Sequence, residues 1–163
     1  MDLIVEHSGH HYWWLATEDA RDFRPAAAAT PYTCFLWDTS GNWSAPVRTA
    51  LANALLDSGC RYLVCGGETC ERWHNDVDEL LAARSAFPAT ELPFVGTTWH
   101  AGESAEKVAE FFVLHARVPD GDIREHLVLQ LGLDWDVQND LMIWTRAWVE
   151  HPYGVDAPDR AGE

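Results

Sequence analysis

The chain has 163 residues, of which 47% are apolar and 23% charged, a size and balance typical of one folded domain. Its 11 basic and 26 acidic side chains leave a formal net charge of −15, which disfavours nucleic acid and anionic membranes as partners. No apolar stretch is long enough to span a bilayer and the first residues lack a secretion signal, so we expect a cytoplasmic protein with reduced, buried cysteines.

The first 31 residues do not follow the pattern of the rest, and we expect them to form an N-terminal extension. Histidines and aromatic residues cluster there: His7, His10, His11, Tyr12, Trp13 and Trp14. Pro25 and Pro31 bracket a predicted loop. From residue 32 to residue 151 short apolar runs alternate with helical patterns, which indicates a single α/β domain. Residues 152–163 are expected to be a disordered tail.

Four apolar runs predict strands, over residues 33–37, 61–65, 92–95 and 126–131. Apolar residues at helical spacing predict helices over 45–58, 71–83 and 134–151, and Ser104 is the expected N-cap of one more helix. Continuous apolar strands that alternate with helices are typical of parallel sheets covered on both faces. We therefore expect a three-layer, Rossmann-like α/β fold with a short, mainly parallel four-stranded sheet flanked by helices.

Polar residues follow the predicted strands, at the edge where ligands bind in open parallel sheets. Asp38 follows the first strand, Glu68 the second and His100 the third. These three are the candidate catalytic residues, with a carboxylate as base and the histidine as acid or base. The alternative is that such residues are ordinary turn and capping residues with no ligand.

A wider group near the same edge supplies candidate binding residues. Two Trp-His pairs stand out, because tryptophan and histidine are scarce residues; one directly follows a predicted strand and the other lies at the start of the neighbouring predicted helix. The candidates are Ser40, Cys70, Trp73, His74, Asp76, Thr97, Thr98 and Trp99. If the strand assignment holds, they converge with the catalytic candidates on one cleft.

Three chemical alternatives remain open at this edge, and the sequence does not identify a cofactor. Soft and imidazole ligands for zinc are available from Cys65, Cys70, His74 and His100, although their spacing is not a familiar one. The run from Asp38 through Ser40 to Asn42, with Thr97 or Thr98, resembles the magnesium-binding loop of von Willebrand A domains. Cys70 or Cys65 can instead be a nucleophile if its thiol pKa is lowered. Buried structural thiols are the simpler interpretation.

One stretch resembles a small bacterial domain family of unknown function. The resemblance rests on the run from Ser58-Gly59-Cys60 through Gly66-Gly67-Glu68-Thr69-Cys70 to Trp73, with Asp76, and on Thr97-Thr98-Trp99-His100. It spans about residues 33 to 131. It implies the limits of the domain and draws attention to Cys70, Trp73 and Asp76, but it implies no activity.

Two functions of different classes follow from these observations. The first is a non-enzymatic binding or regulatory module, of the immunity or accessory type, that holds a partner protein through acidic and tryptophan-rich surface. The second is a small enzyme, a hydrolase or transferase, that acts on a nucleotide-like or other small polar molecule at the strand ends. We favour the first.

Overall fold

The computed structural model describes residues 1–19, 23, 30–86, 93–119 and 121–153. The strands are β1 (Asp2–His7), β2 (His10–Thr17), β3 (Tyr32–Asp38), β4 (Cys60–Gly67), β5 (Gly96–Trp99) and β6 (Glu125–Leu131). The helices are α1 (Ala45–Asp57), α2 (Cys70–Ser85), α3 (Ala105–His115) and α4 (Trp135–Glu150). The predicted loop at residues 25–29, residue 92 of the predicted third strand, and the predicted tail from residue 154 onward lie outside the described residues.

The described strands form one mixed sheet in the order β1-β2-β6-β3-β4-β5. β1 and β2 pair antiparallel, and all other neighbours pair parallel. The α/β class is therefore confirmed. The predicted number of four strands is wrong, because the sheet has six strands in the described part of the chain.

The two additional strands come from residues 2–17, where we expected an extension. They form a hairpin whose turn residues, Ser8 and Gly9, have φ values of 52° and 79°. Two successive residues of positive φ are characteristic of the tight turns that match the twist of a hairpin. The sequence signal is weak because Ser-Gly is a poorer marker of this turn than Asn-Gly or Asp-Gly. β1 is also an edge strand, and most of its side chains are exposed.

The third predicted strand is displaced along the chain. The strand is Gly96–Trp99 and not 92–95, so Thr97, Thr98 and Trp99 lie within β5 and not in the loop after it. Gly96 suggested a strand end but is the first residue of β5, where it pairs with Tyr62 of β4. The Tyr62 ring covers Gly96 so closely that a Cβ at this position would lie 2.6 Å from a ring carbon. A glycine here marks close packing of an aromatic ring on the strand.

Helices cover both faces of the sheet. α1 and α2 bury Leu51, Leu55 and Trp73 against one face, in a cluster that includes all four cysteines. α3 and α4 bury Phe112 and Leu141 against the other face. Each face is thus a separate apolar core, which explains why the central strands read as continuous apolar runs.

The connections place a crevice at the carboxyl ends of the strands. From β3 the chain proceeds outward through β4 to β5, and α3 then returns it to β6 on the opposite side of β3. Loops diverge where the direction of winding reverses, so an open groove forms outside the strand ends there. No helix in the described part of the chain is both long and apolar enough to cross a membrane.

Candidate functional site

Asp38, the last residue of β3, is fully buried and surrounded by hydrogen-bond donors. Its Oδ1 accepts hydrogen bonds from the backbone N–H groups of Ser40 and Gly41, each at 3.0 Å. The Ser40 hydroxyl, at 3.4 Å, and the indole Nε1 of Trp43, at 3.1 Å, donate to the same oxygen. Oδ1 is therefore fully used in closing the loop between β3 and α1.

The second oxygen of Asp38 is used in the same way by α2. Oδ2 accepts a hydrogen bond from the hydroxyl of Thr69 and one from Trp73 Nε1 at 3.1 Å. Burial by itself raises the pKa of this carboxyl, but the hydrogen bonds, that of Thr69 foremost, outweigh burial and hold the pKa below its ordinary value. Asp38 is thus an ionised anchor between β3, α1 and α2, with no free acceptor for a substrate proton or a metal ion.

Glu68 lies beside Asp38 but faces solvent. Gly67, with a φ of +84°, brings the end of β4 so close to β3 that any Cβ at this position would collide with the Asp38 carbonyl. The backbone N–H of Glu68 then donates to that carbonyl at 3.0 Å. This contact fixes the backbone of Glu68 while its side chain remains exposed at the edge of the sheet.

Glu68 lines an open crevice of about 510 Å³ at the strand ends. Its walls come from the ends of β3 and β4, the loop after β5, and the start of α4. Four acidic residues and no lysine, arginine or histidine line it: Asp38, Glu68, Glu103 and Asp134. The volume lies within the range of small-molecule and peptide-side-chain pockets. The crevice is therefore a uniformly acidic site, as far as the described residues show.

His100 does not line this crevice. It is 8% exposed, and its ring packs on Phe111 at a centroid distance of 4.6 Å. Its Nε2 lies 3.3 Å from the Thr98 hydroxyl, and its Nδ1 lies 3.4 Å from a carboxylate oxygen of Glu103. Of the three catalytic candidates, the structure thus places Asp38 and Glu68 on one crevice, and His100 contacts that crevice only through Glu103.

The candidates on α2 have structural contacts. Cys70 and Trp73 are buried, at 2% and 0% exposure, so neither offers surface to a ligand. Asp76 accepts a hydrogen bond from Arg48 Nε at 2.7 Å, and Arg48 also donates to the carbonyl of Trp43 at 2.7 Å. This ion pair fastens α2 to the start of α1, around the same loop that Asp38 closes.

A second group of candidates lies on the edge strand β5, away from the acidic crevice. The Thr97 hydroxyl lies 2.7 Å from His74 Nδ1 and 2.7 Å from a carboxylate oxygen of Asp78. His74 Nε2 lies 3.3 Å from the other Asp78 oxygen, and the Trp99 ring packs on His74 at 4.5 Å. Both nitrogens of His74 are occupied, so this group is a closed hydrogen-bonded triangle beneath a half-exposed tryptophan.

The thiols do not resemble nucleophiles. All four cysteines are buried and free. Burial raises the pKa of Cys65 well above its ordinary value, and burial raises that of Cys60 to about 12. A thiol that stays protonated is a poor nucleophile and a poor metal ligand.

The ligand sets that the sequence suggested for zinc and magnesium do not come together in the described residues. No three His, Cys, Asp or Glu side chains there lie close enough together to hold a metal ion, so the set of Cys65, Cys70, His74 and His100 does not form a zinc site. The magnesium alternative required Asp38 as a ligand, and both oxygens of Asp38 already accept hydrogen bonds.

Residues at the start of α4 were missed as site residues. Asp134 follows β6 and lines the crevice, and Leu133 and Trp135 on either side of it are 58% and 74% exposed. The same strand-end argument that selected Asp38 and Glu68 applies to the loop after β6. The sequence pattern predicts Asp134 only as the start of a helix, and Asp134 does cap α4.

The chain matches a family model described as Domain of unknown function (DUF7684), over residues 11–144. The chain belongs to this family. The expectation of an uncharacterised family is confirmed, but the match extends beyond residues 33–131 at both ends, into β2 and α4. Neither the curated proteins nor the solved structures contain a match to the chain.

Proposed function

We propose that this chain is a non-enzymatic binding module that holds a basic segment of a partner protein in the acidic crevice at the strand ends. One observation carries the proposal. Leu133 and Trp135, which are exposed, precede and follow Asp134 in the chain, and Asp134 lines a crevice with three other carboxylates and no described cation. Exposed aromatic and aliphatic side chains beside a polar rim are the usual composition of a protein-binding site.

Charge supports a basic occupant. The chain carries a formal charge of −15, and the crevice adds a local concentration of exposed carboxylates from Glu68, Glu103 and Asp134. Complementary charge accelerates encounter and selects partners, while burial of an apolar anchor supplies affinity. A segment that offers arginine or lysine next to an apolar side chain fits both features. The same charge disfavours nucleic acid and anionic lipid as the occupant.

The alternative of an enzyme acting on a nucleotide-like substrate has less support. Helix N-termini point toward this edge, and free N–H groups there would attract a phosphate. The N–H groups of Asp136 and Val137 instead donate to the Asp134 side chain, at 3.0 and 3.1 Å. Those of Ser40 and Gly41 donate to Asp38. These donors are therefore not free to hold an anion, and the exposed carboxylates at this edge, Glu68 and Glu103, repel a phosphate group.

The proposal also includes a Rossmann-like arrangement of the sheet, the location of the binding surface and a cytoplasmic setting. Helices on both faces of a sheet that reverses its winding beside β3 support a Rossmann-like arrangement. The candidate binding surface is the crevice with Glu68, and a cytoplasmic setting fits a chain with four free cysteines.

Photo-crosslinking in the native host tests the proposal. Trp135 is replaced by p-benzoylphenylalanine in the intact chain, with the same replacement at Trp99 as a matched control, because Trp99 is a half-exposed tryptophan on the far edge strand. We expect position 135 to capture one protein reproducibly, through a peptide that contains arginine or lysine. Capture should be lost in a Glu68→Gln, Glu103→Gln double variant. A crosslinked peptide that is acidic, or capture that survives the double variant, would contradict the proposal.

A further inference from the structure

A second pocket lies at the opposite edge of the sheet, where the histidine-rich N-terminal hairpin meets the ends of α3 and α4. It has a volume of about 180 Å³. Its polar lining comes from His7, Ser8, His10, Tyr12 and Arg117, and apolar residues, Trp148 among them, complete the wall. The acidic crevice does not use any of these residues.

The charge of this pocket is opposite to that of the whole chain. No carboxylate is among its lining residues, although the chain has 26 acidic side chains. Arg117 is exposed, donates from Nη2 to the carbonyl of Val113 at 2.8 Å, and forms no ion pair with a described carboxylate. Asp122 is 3.2 Å from Arg124 and 3.7 Å from His10, and it lines an adjoining space and not this pocket.

Tyr12 is a buried polar side chain in this pocket without a partner. It is 5% exposed, its ring stacks on His126 at 4.3 Å, and its hydroxyl makes no hydrogen bond to the described residues. Burial raises the pKa of this phenol, so the hydroxyl is protonated and can donate. The Tyr12 hydroxyl is not among the inaccessible unpaired atoms of the described residues, so it is an accessible donor that a ligand in the pocket can use. The indole Nε1 of Trp148, in the same wall, is unpaired but inaccessible, and it is not part of the proposed ligand set.

We propose that this pocket binds a phosphate group, held by the guanidinium of Arg117, the hydroxyl of Tyr12 and an imidazole of the hairpin. A phosphate carries several acceptor oxygens and negative charge, which match a wall that offers donors and a cation. The pocket volume of about 180 Å³ is large enough for the phosphate group. This site is independent of the acidic crevice and of any partner protein.

Titration of the intact chain with inorganic phosphate tests this site. The histidine ring signals are followed by proton NMR at pH 7 and at constant ionic strength. We expect saturable shifts of the His7 and His10 signals. Loss of one charge-assisted hydrogen bond should raise the dissociation constant about tenfold in Arg117→Gln and severalfold in Tyr12→Phe. Tyr12→Phe removes only one oxygen, so the fold and the ring stacking remain.

Lys107→Gln is the matched control, because Lys107 lies at the first turn of α3 while Arg117 follows its last turn. It removes the same charge and should leave phosphate affinity unchanged. Phosphoserine distinguishes an ester from the free anion: tighter binding than inorganic phosphate assigns the site to a phosphate ester, and equal binding assigns it to the free anion. Shifts that do not saturate, equal binding of acetate, or unchanged affinity in both site variants would overturn the proposal.

Discussion

The indole Nε1 of Trp73 lies 3.1 Å from Oδ2 of Asp38, inside a core where both residues are completely buried. Sequence separates them by a loop, a helix and a strand, and the contact joins the end of β3 to the first turns of α2. A buried carboxylate is stable only when its lone pairs are satisfied. The Asp38 contacts therefore stabilise this end of the sheet by joining β3 to α2 and to the loop before α1.

Replacement of Asp38 by asparagine is expected to destabilise the fold strongly. The amide keeps the shape but presents an N–H₂ group to donors that need an acceptor, so at least two buried hydrogen bonds to a charged group are lost. We expect a loss of about 3 kcal/mol in the free energy of unfolding. Urea denaturation measures it. Glu68→Gln, one strand away and exposed, should leave the midpoint unchanged, and an equally stable Asp38→Asn would show that the carboxylate is not an anchor.

Trp73 and Asp38 should also be energetically coupled. Trp73→Phe retains an aromatic ring but removes the N–H donor, and its effect contains a cavity contribution as well as the lost hydrogen bond. A double-mutant cycle with Asp38→Asn separates the two, and we expect a coupling energy of about 1 kcal/mol or more. Additive effects would mean that the 3.1 Å contact adds nothing beyond packing.

The central part of the fold was predictable, because its signals are local. Residues 33–37 and 126–131 are continuous apolar runs that correspond to β3 and β6, and Gly59 ends the first helix as its position suggests. The hairpin of β1 and β2 was not predictable by the same rule. β1 lies at the edge of the sheet and β2 next to it, and most of their side chains are exposed or only partly buried, so neither strand needs a continuous apolar sequence.

The meeting of Asp38 and Glu68 on one crevice was predictable from the sequence, but the hydrogen bonding of their side chains was not. Chain order places Asp38 and Glu68 at one sheet edge, since parallel strands end together. Whether Asp38 is free or saturated depends on the directions of the Trp43 and Trp73 side chains, and no local pattern determines those. Glu103 was not among the expected residues, because the predicted strand ends at residue 95. The strand β5 ends at Trp99, so the loop that follows it at the carboxyl edge of the sheet contains Glu103.

His126 should make folding stability depend on pH in the acidic range. Its Nδ1 lies 2.7 Å from the Thr33 hydroxyl and its Nε2 lies 3.0 Å from His10 Nδ1. Burial, with a smaller effect of His10, lowers the pKa of His126 from 6.5 to about 3. Below pH 6.5 the unfolded chain binds a proton that the folded chain does not, so this contribution is complete above pH 6.5 and is lost as pH falls toward 3.

Urea denaturation between pH 7.5 and pH 5 measures this effect, in a range above the titration of most carboxylates. We expect the free energy of unfolding to fall by about 2 kcal/mol more in the parent chain than in His126→Asn, which has no group to titrate. His115→Asn is the control, since His115 is exposed at the end of α3, and it should retain the parent slope. An unchanged slope in His126→Asn would assign the acid sensitivity to other groups.

Thiol labelling should separate the structural from the catalytic interpretation of the cysteines. All four are buried, and burial raises the pKa of Cys34 and Cys65 well above the ordinary value. We expect the native chain to react with less than about one equivalent of Ellman's reagent within minutes at pH 8, because reaction requires both a thiolate and access. The four thiols should react together in guanidinium chloride. Rapid reaction of one thiol in the native chain would support the nucleophile hypothesis. Loss of that reaction in Cys70→Ser would then identify the reactive thiol as Cys70, at the start of α2.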